Sequence, residues 1–93
     1  MYFLLSYDYV ENIIERRAPY RDAHLALAQA YAGRGELVLG GAFTQPADSA
    51  ALVFNVGGQA DVEAFVAKDP YVKNRLVTDW RIREWNVVVG SAL

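Results

Sequence analysis

No cysteine occurs in this chain, histidine occurs once, and lysine and arginine together are outnumbered by aspartate and glutamate. The first absence excludes a disulfide framework, a thiolate nucleophile and iron–sulfur ligation. One imidazole without any thiol argues against a zinc or copper centre, so no metal and no cofactor are expected. The net charge of −2 and pI near 5.2 lack the basic footprint that nucleic acid demands. No apolar run reaches the roughly 18 residues needed to span a bilayer. "MYFLLSYDY" (1–9) has neither a basic leader nor a small-residue cleavage site. A cytoplasmic protein with no membrane or nucleic-acid partner is therefore expected. Phosphate-loop, nucleophile-elbow and kinase patterns are also missing.

What is present fits one folded domain over residues 1–93, with 54% hydrophobic and 22% charged residues. "YFLLSY" (2–7) reads as a strand. A helix is expected from near Pro19 to "GRG" (33–35), where glycine suits a C-terminal cap. "ELVLGGAF" (36–43) and "AALVFNV" (50–56) flank the polar loop "TQPADS" and read as a hairpin. "GQADVEAFVAKD" (58–69) has Val62, Phe65 and Val66 on one helical face, and "DPYVKNRLV" (69–77) reads as a further short turn of helix. "DWRIREWNVVV" (79–89) closes the chain as a strand. That order, βαββαβ, is an α+β, ferredoxin-like pattern with a four-stranded antiparallel sheet.

A sheet covered by helices on one side should alternate apolar and polar residues. Here Tyr2 to Leu5, Leu37 to Leu39, Leu52 to Phe54 and Val87 to Val89 are consecutive apolar runs. Two largely apolar faces predict a homodimer in which two sheets cover each other.

The single histidine, His24, falls on the apolar stripe of its helix with Tyr20, Leu27, Ala28 and Tyr31. Two readings stand: a satisfied histidine at the core margin, or a general acid or base at neutral pH. Arg17 and Arg21 lie on the same approach and are either solvated or hold an anionic ligand. Asp69, before Pro70, suits a helix N-cap, and a carboxylate could equally orient an imidazole.

"ERRAPYRDAHLALAQAYAGRGELVLGGAF" (15–43), "AFVAKDPYV" (64–72) and "RIREW" (81–85) together resemble the YciI-like (YCII-related) family over essentially the whole chain. The most specific pieces are Arg21, His24 and Leu25, and the Asp69-Pro70-Tyr71 triplet. The resemblance implies a dimeric α/β barrel and a pocket centred on a histidine–aspartate pair, here His24 and Asp69. One departure is Gly41-Ala42, where the family often has Gly-Pro. Cofactor-free elimination of chloride from a chlorinated hydroxyquinol is among the activities associated with the family. The expectation is thus a small cofactor-free lyase or isomerase acting on an anionic, phenolic or enolic compound. His24 and Asp69 would be catalytic, Arg17 and Arg21 would hold the substrate, and Tyr71 and Gly41 would line the pocket. The competing expectations are a dimer that binds or senses a small ligand, and a cofactor-free oxygenase of the same barrel type.

Overall fold

The computed structural model describes all residues, 1–93. Strand β1 (Tyr2–Tyr9) is followed by a four-residue helix α1 (Ile13–Arg16), a 3-10 turn at Ala18–Tyr20 and helix α2 (Arg21–Gly33). Strands β2 (Leu37–Ala42) and β3 (Ser49–Asn55) form the hairpin. Helix α3 (Gln59–Lys68), a single turn α4 (Pro70–Lys73) and strand β4 (Val77–Trp85) complete the chain. The strands pair antiparallel in the order β2-β3-β1-β4, which is the α+β ferredoxin-like topology.

Alternation places Phe3, Leu5 and Tyr7 of β1 beside Phe54, Leu52 and Ala50 of β3, all buried against the helices. Val62, Phe65 and Val66 of α3 and Tyr31 of α2 close this core from above. Burying a phenylalanine is the main stabilising contribution of such a helix, so Phe65→Ala costs about 3–5 kcal/mol. The carboxylate of Asp61 accepts from the Gly58 N–H at 3.2 Å and starts α3.

Helix α2 ends as the glycines suggest. Gly35 takes φ +77°, and the Gly35 and Glu36 N–H groups return to the carbonyls of Ala32 and Tyr31. At the other end proline lies in the 3-10 turn, so α2 begins at Arg21 rather than at Pro19.

Two further expectations need correction. Strand β4 stops at Trp85, and Val87, Val88 and Val89 lie in a C-terminal tail outside the sheet. The outer face is not uniformly apolar either. Tyr2, Leu4, Val53 and Trp85 gather at one end with Arg83 beside Leu4, while Ser6, Asp8, Ser49, Asp79 and Arg81 share the same face further along. Arg81 bridges Asp8 at 3.1 Å and Asp79 at 2.8 Å there. The tail lies over the apolar end, where Val87, Val89 and Leu93 face Tyr2, Val53 and Trp85 across a gap of about 250 Å³.

Candidate active site

Small residues create the space in which the chemistry-bearing side chains meet. Gly40, Ala42 and Ala50 occupy inner positions of β2 and β3, and Ala28 faces them from α2. Where larger side chains would close the layer, a cavity of about 240 Å³ opens between α2 and the sheet. His24, Arg17, Arg21, Gly41 and Tyr71 all line it. Asp69 lies behind His24 and is completely buried.

The His24–Asp69 contact is short: Nδ1 stands 2.7 Å from Asp69 Oδ1. The same oxygen accepts from the Tyr71 backbone N–H at 3.0 Å, capping α4. Asp69 Oδ2 accepts from the Tyr7 hydroxyl at 2.8 Å. The two roles considered for this carboxylate are therefore met by one oxygen. With the Tyr71 N–H and the Tyr7 hydroxyl donating to it, the carboxylate serves as an acceptor here, and the contact with His24 is made by a proton on Nδ1. The other ring nitrogen, Nε2, has no protein partner and is not sealed from the cavity.

Tyr71 stacks flat on the imidazole, with ring centroids 3.8 Å apart and 3° between planes. Its own position is fixed by Ile13 of α1 and by Leu76, which with it form a second small core. His24 is thus packed against α4 as well as its own helix.

The cavity carries positive charge. Neither Arg17 nor Arg21 makes an ion pair, in contrast to Arg34 with Glu36 and Arg81 with its two aspartates. Tyr9, from the inner face of β1, completes the wall. Its phenol is pushed up to about 12 by burial and by Tyr71 and Asp69, with Arg17 and Arg21 acting in the opposite sense. It therefore faces the cavity as a neutral O–H donor.

Tyr7 and Tyr9 are the site residues that sequence reasoning missed. The signal was available: alternate positions of β1 carry phenols on the side that must be buried, and a buried hydroxyl requires a partner.

The YCII-related domain matches residues 1–86. The chain belongs to this family. No curated protein sequence matches it. A solved structure shares the YCII-family chain's fold: the 5-chloro-2-hydroxyhydroquinone dehydrochlorinase of Burkholderia phenoliruptrix AC1100, in complex with 2,5-dihydroxybenzoquinone. It superposes with a TM-score of 0.80 over 92% of this chain and 94% of that one, at 20% identity. At that identity the likeness shows the fold. No helix of the YCII chain is long and apolar enough to cross a membrane.

Proposed function

We propose that this YCII-family protein is a small acid–base enzyme of lyase or isomerase type. Its substrate would be a small anionic phenol or enol. The observation that carries the reading is the placement of His24 between a buried carboxylate and a cavity with two unpaired guanidinium groups. Asp69 holds the Nδ1 proton and leaves Nε2 free to accept one from a bound compound. Asp69 also offsets the charge that the ring then acquires. Arg17 and Arg21 hold the developing enolate or phenolate, and the Tyr9 hydroxyl adds a neutral donor. In an elimination, Nε2 takes the substrate proton, the released electron pair forms the new double bond, and the leaving group departs with its own pair. In an isomerisation, the same imidazolium returns the proton to a different atom. Both steps run without a cofactor. The quinone bound by the solved relative is of the planar, oxygen-rich kind that such a cavity suits.

We also propose that two copies pair through the outer faces of their sheets, as the exposed Leu39 and Trp85 and the half-buried Tyr2 support. A cytoplasmic setting is consistent with this chemistry.

Calorimetric titration with 2,5-dihydroxybenzoquinone and a series of hydroxybenzoates tests the ligand class. Binding that weakens about tenfold or more in Arg17→Ala and Arg21→Ala is expected, since a hydrogen bond to a charged group contributes about 1.5–3 kcal/mol. Equal affinity for neutral and anionic members, unaffected by either substitution, would contradict it.

A further inference from the structure

We propose that Tyr7 is a positioning residue for His24 that acts through Asp69: its hydroxyl draws on the carboxylate's charge and so limits how strongly Asp69 holds the Nδ1 proton. Tyr7 has no place in the cavity wall and is fully buried, so it cannot touch a ligand. Its only polar partner is Asp69 Oδ2, at 2.8 Å, and Oδ2 has no other protein partner. The remaining donors, the Tyr71 N–H and His24, both use Oδ1. The two oxygens share a single negative charge, so a donor on one reduces what the other offers. Burial, and then the negative charge of Asp69, hold the Tyr7 phenol far above the usual tyrosine range. It therefore remains an O–H donor at any working pH.

The other groups around the pair are Tyr9 from β1, Arg17 ahead of α2, Arg21 from α2 itself and Tyr71 from α4. Unlike their side chains, the Tyr7 hydroxyl bonds directly to the carboxylate that holds the imidazole. The importance of this contact for catalysis rests on the proposed role of His24 in proton transfer. The contact itself can be tested without a substrate.

Because the chain has one histidine, a single imidazole spectrum reports on it without ambiguity. Tyr7→Phe keeps the ring in the core and removes only the hydroxyl. Proton NMR of this variant and the parent protein, at the same pH and temperature, should place the His24 Nδ1 proton further downfield in the variant. That shift marks a stronger bond to Asp69. A resonance that stays in place or moves upfield, with the fold intact, overturns the proposal. If Tyr7→Phe fails to fold, the parent protein supplies the test. A tyrosine hydroxyl proton protected from solvent exchange, with a nuclear Overhauser contact to the His24 Nδ1 proton, is the expected result. Free exchange of that hydroxyl overturns it. Failure of the proposed function would instead appear as absent turnover, with these resonances unchanged.

Discussion

Asp69 Oδ1 accepts from both the Tyr71 backbone and His24, and this double use decides what an asparagine would do there. The Tyr71 N–H requires an oxygen at that position, so the amide of Asp69→Asn is held with its carbonyl toward His24. The Nδ1 tautomer survives and α4 keeps its cap, while the counter-charge is lost and the Tyr7 contact reverses, the amide NH2 donating to the phenol oxygen. The variant should fold normally and bind anions, while proton transfer falls by about 10²–10⁴-fold, the usual contribution of acid–base catalysis. Asp69→Ala should be different. It leaves three buried donors without a partner, each at about 1–3 kcal/mol, and should unfold at markedly lower temperature. Thermal melts of the two variants separate these effects. Alkaline pH acts on the neighbouring phenols. Above pH 10 the unfolded chain releases tyrosine protons that the fold retains, up to about 12 for Tyr9 and beyond for Tyr7. The folded state then binds more protons, so stability declines as pH rises through this window. Melting temperatures recorded across it should fall, and less steeply in Tyr7→Phe.

At the level of elements, the single turn α4 carries more of the site than its length suggests. It supplies the Asp69 cap, the Tyr71 ring and the hydrophobic contact with Leu76. It ends with the Arg75 and Leu76 N–H groups returning to the carbonyls of Val72 and Tyr71. Arg75 takes φ +60° in this turn, where α2 uses Gly35 for the same purpose. A left-handed conformation costs a non-glycine residue about 1–2 kcal/mol. Arg75→Gly should therefore raise stability, by up to about 1 kcal/mol after the added chain entropy of glycine. Chemical denaturation checks this, and a loss of stability would show that the arginine has a role of its own. "DPY" announced the start of this turn, because aspartate before proline has one clear use at a helix start. Its end was not legible, since arginine in a left-handed turn carries no local signal. Helix α1 was missed for a related reason: four residues with only Ile13 buried have no periodicity to read. The resemblance implied a pocket around His24 and Asp69, but its small-residue wall was not legible, because Gly40, Ala42 and Ala50 come together only through strand register.

For the whole molecule, strand order followed from the alternation of elements, whereas the outer face did not follow from apolar content alone. Consecutive valines at 87–89 extend past β4 and so contribute to a tail instead of a sheet surface. Val53 is buried on the outer face beneath that tail, while Leu39 and Trp85 remain open to solvent. If two sheets meet there, light scattering should give about twice the chain mass. Trp85→Asp should then yield monomers, because an unpaired charge in an apolar contact costs several kcal/mol. A compact monomer in the parent protein would remove the dimer from the account.

The central claim is that His24 moves protons for a compound held in the cavity. Deuterium exchange from solvent into enolisable and phenolic acids, followed by mass spectrometry, tests it most directly. The parent protein should accelerate exchange for at least one anionic member of the series, and His24→Gln should lose this acceleration while still binding the compound. Binding without any exchange in the parent protein, or equal exchange in His24→Gln, would contradict the account.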